Sequence, residues 1–196
     1  MIKIFGIERS CTNYVKELLT LNFGILPFVH TFGDKHGRVN PEGFVKEFPS
    51  NETFYKNCTV RTIICVKNPY HWFYSIRNYC ENTPSYEPFD AVEQMQRYNK
   101  MYLHWYYELQ DHPFFTPVYV FRHEDLLRDL DGTLSKIDMP RGELRDTDKV
   151  RISNRFTPDR REMYLKRKEM EPWERGVVNM YVSDEFFKLY GYEREF

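Results

Sequence analysis

Short apolar runs alternating with stretches of helical spacing constrain this chain more than any other feature. Residues 2–7 form a brief apolar run interrupted by Lys3 and ending in a polar loop, after which Val15, Leu18, Leu19 and Phe23 recur at intervals of three and four. A second run, 62–66, leads into Lys67-Asn68-Pro69, whose proline suits the first turn of a helix, and then into Trp72, Phe73, Ile76 and Tyr79. Val92, Met95, Tyr98, Tyr102, Trp105 and Leu109 trace a longer helix that Pro113 and Pro117 end. Residues 118–121 predict a third strand, and Glu124-Asp125-Leu126-Leu127 a helix start with acid near its positive end. Further helices are predicted over 159–168 and 173–190, after an irregular polar stretch at 141–157.

Parallel strands need crossover connections, so this alternation predicts an α/β fold with a central, mainly parallel sheet flanked by helices. A length of 196 residues suits one domain over 1–196. Ligands of such sheets sit beyond the carboxyl ends of the strands, where the two most polar loops of this chain fall.

Charge narrows the partners. With 28 Lys+Arg against 29 Asp+Glu, nothing global draws the chain to nucleic acid or to an anionic membrane, so any anion must be bound locally. Residues 151–168 hold a local basic excess, Arg151, Arg155, Arg160, Arg161, Lys166, Arg167 and Lys168 against Asp159 and Glu162, which reads first as a solvated helix face. No apolar run is long enough to span a bilayer or serve as a signal peptide, which predicts a cytoplasmic protein. Cys11, Cys58, Cys65 and Cys80 lack zinc-site spacing and are expected to be reduced thiols. His71, His104, His112 and His123 have no ligand-like spacing with acids or thiols, so no metal is expected.

Between the first strand and its helix lies Gly6-Ile7-Glu8-Arg9-Ser10-Cys11-Thr12-Asn13. Free backbone N–H groups and the helix dipole favour an anion there, and Arg9, Ser10 and Thr12 add a fixed charge and two hydroxyls; a plain helix cap beside a surface arginine is the competing reading. A Walker A loop needs Gly, Lys and Ser or Thr where Cys11, Thr12 and Asn13 stand, which speaks against a magnesium-dependent phosphotransferase or nucleotide hydrolase.

Taken with Lys67-Asn68-Pro69 and Ser75, eight positions beyond Lys67, this loop resembles the nucleotide-binding signature of sulfotransferases that use 3′-phosphoadenosine 5′-phosphosulfate. Phe121-Arg122-His123-Glu124-Asp125-Leu126 and the terminal Gly191-Tyr192 are similar to further family elements. The resemblance covers residues 1–30, 60–80 and 117–138 and implies a P-loop NTPase-like domain. It implies that Arg9, Ser10, Cys11, Thr12 and Asn13 hold the donor's 5′-phosphosulfate, and that Lys67 and Ser75 hold its 3′-phosphate. It also implies metal-independent transfer of a sulfuryl group to a hydroxyl or amine of a small molecule or glycan. A base is expected after the first helix: His36, assisted by Lys35, with His30 and Glu47 as alternatives. Arg160, Arg161 and Lys166 stand nearest to the family's C-terminal phosphate clamp.

Three positions depart from the family pattern. Cys11 replaces a glycine, Glu8 puts an acid beside a phosphate site and should repel it unless a cation pairs with it, and Lys67 replaces a two-pronged arginine with a point charge. A catalytically inactive sulfotransferase-like binding protein therefore stands beside the enzyme reading.

Overall fold

The computed structural model describes residues 1–24, 28–29, 34–39, 60–83, 87–112, 114–145 and 169–196. Three strands, β1 (Ile2–Phe5), β2 (Arg61–Val66) and β3 (Val118–Arg122), form one parallel sheet in the order β1-β2-β3. Ile4 pairs with Ile63 and Cys65 with Phe121, which aligns the carboxyl ends of the strands along one edge. A bridge from Ile2 to Phe28 extends the pairing beyond β1.

Seven helices are present among the described residues. They are α1 (Thr12–Phe23), α2 (Pro69–Glu81), α3 (Ala91–Gln110), α4 (His123–Arg128), α5 (Leu130–Leu134), α6 (Pro172–Tyr181) and α7 (Asp184–Tyr190). Strand alternation sends Ile2, Ile63, Cys65 and Phe121 to one face, where Val15, Leu18, Leu126 and Leu134 cover them. Phe5, Ile64 and Val66 face the other side and meet Trp72, Tyr98, Trp105 and Phe186. Both sheet faces are thereby buried, the condition a parallel sheet requires.

Local chemistry sets the helix ends. The Asn68 side chain accepts the Tyr70 N–H at 3.0 Å with Pro69 in the first turn, and Asp90 accepts from Val92 at 2.9 Å and Glu93 at 3.0 Å. The single helix expected over 173–190 is instead two. Val182 is extended and Ser183 caps α7, donating from its N–H and its hydroxyl to the Asn99 side chain on α3 at 3.0 Å each, so a tertiary partner stabilises the break. The helix expected over 159–168 lies outside the described residues, as do His30, Glu47, Cys58 and the basic cluster of 151–168.

Candidate functional site

The first loop is built around Gly6. A methyl group there would stand 2.5 Å from Ser10 Oγ and 2.8 Å from both the Cys65 carbonyl oxygen and Thr12 Cγ2, so the loop closes only on a glycine. Ser10 is buried and donates its hydroxyl to the Ile7 carbonyl at 2.6 Å, which commits that hydroxyl to shaping the turn. Arg9 and Cys11 both sit in the left-handed region, at φ 65° and 69°. For residues bearing a Cβ this conformation costs roughly 1–2 kcal/mol each, and such strain collects at functional loops. Cys11 caps α1 with no side-chain hydrogen bond, a cap that supplies no acceptor of its own to the first-turn N–H groups.

Residues 34–39 fold back onto this loop. The Gly6 N–H donates to the Lys35 carbonyl at 2.9 Å, and His36 Nδ1 bonds the Gly6 carbonyl. A carbonyl only accepts, so Nδ1 carries the proton, and in the neutral ring Nε2 keeps its lone pair. Lys35 Nζ donates to Asn13 Oδ1 at 2.9 Å, and Asp34 Oδ1 takes the His36 N–H at 2.7 Å. From α3, Trp105 Nε1 donates to the Gly37 carbonyl at 2.9 Å, while the Val39 N–H donates to His104 Nε2 at 3.3 Å. Asp34 also opposes, by its charge, the burial that lowers the Lys3 ammonium to about 8.

The acid in the loop is neutralised. Glu8 meets the Arg97 guanidinium at 2.7 Å. Burial pushes its carboxyl up, but the Arg97 hydrogen bond, its own backbone and the charges of Arg97 and His36 outweigh that and leave it below the ordinary range. Arg97 lies 89 positions away on α3, and no local signal in the sequence marks it as this partner.

The second loop packs beside the first. Trp72 Nε1 donates to the Glu8 carbonyl at 2.6 Å, and the exposed Arg9 guanidinium lies 5.2 Å from the Tyr79 ring centroid. Ser75 falls between Trp72 and Tyr79 on one face of α2, the two residues through which that helix meets the first loop. Lys67 is placed differently: it is only 5% exposed, and its charge reaches the buried His123 on the β3 side. Burial, then Lys67, lowers the His123 imidazole to about 3.

Glu124 ties the loops after β2 and β3 together. It accepts the Asn68 N–H at 3.0 Å and the Tyr192 hydroxyl at 2.8 Å, and His71 Nδ1 lies 3.3 Å away. Burial alone would raise this carboxyl, but the His71 hydrogen bond, the His123 charge, the backbone and Tyr192 together hold it at about 2. Read from the sequence, Glu124 is acid at a helix start; its role in holding the second loop depends on residues far along the chain.

The structure thus brings Arg9, Ser10, Cys11, Thr12, Asn13, Lys35, His36 and the Ser75 face of α2 to one edge of the sheet, with Lys67 turned into the interior beside them. Among the described residues no group of three or more His, Cys, Asp or Glu side chains is arranged to hold a metal ion, and no helix is long and apolar enough to cross a membrane. No protein-family model matches the chain, and neither a curated protein nor a solved structure matches it significantly.

Proposed function

We propose that the chain is a sulfotransferase of P-loop-like architecture that moves a sulfuryl group from 3′-phosphoadenosine 5′-phosphosulfate to a hydroxyl or amine, without a metal. The observation that carries this reading is the placement of a tautomer-locked His36 against Gly6 of the loop that bears Arg9, at the carboxyl edge of a parallel sheet. His36 Nε2 takes the proton of the acceptor as its oxygen or nitrogen attacks sulfur. The bond from sulfur to the 5′-phosphate oxygen breaks, and Arg9, with the N–H groups at the start of α1, stabilises the charge left on the bisphosphate. Because arginine stays protonated, its contribution is electrostatic. Ser75 faces the same region, while Lys67 must turn out of the interior to meet a 3′-phosphate. The pairing of Glu8 with Arg97 removes the repulsion that an acid in this loop would otherwise exert.

A second reading, a binding protein without turnover, is favoured by the burial of Lys67 and by the inward Ser10 hydroxyl. One comparison separates the readings. Adenosine 3′,5′-bisphosphate should bind at least ~10-fold more tightly than adenosine 5′-monophosphate, and Arg9→Ala should lose that binding. Transfer of labelled sulfuryl to a panel of phenols, alcohols and sugars, abolished in His36→Ala, identifies the enzyme; tight binding with no transfer identifies the binding protein. Equal affinity for the two nucleotides overturns both, and magnesium-dependent turnover of ATP or GTP points to a phosphotransferase instead.

A further inference from the structure

The segment that follows α7 grips the second loop at two points. Gly191 ends α7 in the left-handed region at φ 67°, and the Tyr192 N–H donates back to the Phe187 carbonyl at 3.0 Å. Arg122, held at the end of β3 by Asp125 at 2.6 and 2.8 Å, donates to the Gly191 carbonyl at 2.6 Å. The Tyr192 ring stacks on Phe186 with the planes 8° apart, and its hydroxyl donates to Glu124 Oε2 at 2.8 Å. The other oxygen of that carboxylate, Oε1, accepts the Asn68 N–H at 3.0 Å. One carboxylate thus joins Tyr192 to the backbone between Lys67 and α2, and Asn68 caps that helix. Three positions on, the segment is fastened again. The Glu195 N–H donates to Tyr70 Oη at 2.8 Å, the Tyr70 hydroxyl donates to Asn179 Oδ1 at 2.5 Å, and Asn179 Nδ2 donates to the Glu195 carbonyl at 2.7 Å. Tyr70 lies in the first turn of α2, so both grips meet the same loop.

We propose that residues 191–195 brace the second loop, and that Tyr192 is a positioning residue that acts through Glu124 and Asn68 to set the 3′-phosphate contacts of Lys67 and Ser75. A carboxylate turns readily about its last single bond, and a donor on each oxygen fixes that turn. Burial, then the Glu124 charge, push the Tyr192 hydroxyl well up, so it stays a donor at neutral pH. Glu124 is only 5% exposed, so an oxygen that loses this donor is poorly placed to regain one from water. Without the hydroxyl the carboxylate turns toward another donor and its hold on Asn68 weakens. The brace itself does not depend on the sulfotransferase reading, whereas its effect on the 3′-phosphate rests on it.

The full-length protein and Tyr192→Phe, which keeps the ring on Phe186, are compared by hydrogen exchange and isothermal titration. Peptides covering 68–74 should exchange at least ~10-fold faster in the variant, while those covering 2–15 keep the wild-type rate. Asn179→Ala, which opens the second grip, should also speed exchange over 68–74. In Tyr192→Phe, affinity for adenosine 3′,5′-bisphosphate should fall at least ~10-fold while that for adenosine 5′-monophosphate holds, a split that a general loss of stability does not produce. In a Glu124→Gln background the same change should alter that ratio less, because the carboxylate it acts through is gone. Wild-type exchange over 68–74 in both variants overturns the brace, and an effect of Asn179→Ala alone overturns the role of Tyr192. Faster exchange with both affinities unchanged, or equal losses for the two nucleotides, overturns the effect on the 3′-phosphate. Additive losses with Glu124→Gln overturn the route through Glu124. A wild-type protein that does not prefer the bisphosphate overturns the functional reading and that effect together, while exchange still decides the brace.

Discussion

Acid should destabilise this protein through His123 before it reaches the carboxylates. His123 is 4% exposed, and burial with the Lys67 charge lowers its imidazole from 6.5 to about 3. As pH falls, the unfolded chain therefore takes up this proton first, so the contribution to stability is complete above the unfolded value and is lost as pH drops toward the folded one. Between about pH 7.5 and about pH 5 the loss from this one group is about 2 kcal/mol, taking an unfolded imidazole near 6.5 and one that stays neutral when folded. Glu124 does not confuse this window, because its carboxyl, lowered from 4.5 to about 2, gives up its contribution only below the unfolded value. His104 and His112 are also lowered by burial, but they titrate alike in wild type and in a His123 variant and cancel in the comparison. The assay is urea denaturation followed by the fluorescence of the buried Trp72 and Trp105, at the two pH values, for wild type and His123→Gln. Wild type should lose about 2 kcal/mol more than the variant between them. Equal losses would falsify the assignment of a neutral, buried His123.

Gly6→Ala should destabilise by about 1–3 kcal/mol in thermal or urea unfolding and abolish bisphosphate binding. Adding Ser10→Ala should not rescue it, because the backbone oxygen of Cys65 also stands 2.8 Å from the new methyl. Arg97→Ala leaves the Glu8 carboxylate without its guanidinium beside the first loop, and isothermal titration should show bisphosphate affinity reduced by about 10-fold, with Glu8→Gln restoring it in the double variant. Trp105→Phe deletes the hydrogen bond to Gly37 while keeping most of the packing; turnover should fall several-fold with donor affinity unchanged, and a parallel loss of both would place Trp105 in the core alone.

Periodicity in the sequence was sufficient for the three strands, for α1 to α3 and for the parallel sheet, because burial on both faces demands apolar runs and crossover helices demand three-and-four spacing. The first loop was legible for the same local reason: Gly6 and Arg9 fall between a strand and a helix that begins at Thr12. What tertiary structure alone decided were pairings between distant positions. Arg97 answers Glu8, Glu124 gathers Asn68, His71 and Tyr192, Asn99 stabilises the break at Ser183, and Lys67 is buried. Each depends on where two helices or loops cross, and no local propensity encodes a partner many tens of residues away. The tautomer of His36 is of the same kind, since it is set by a carbonyl that only the folded chain brings within reach.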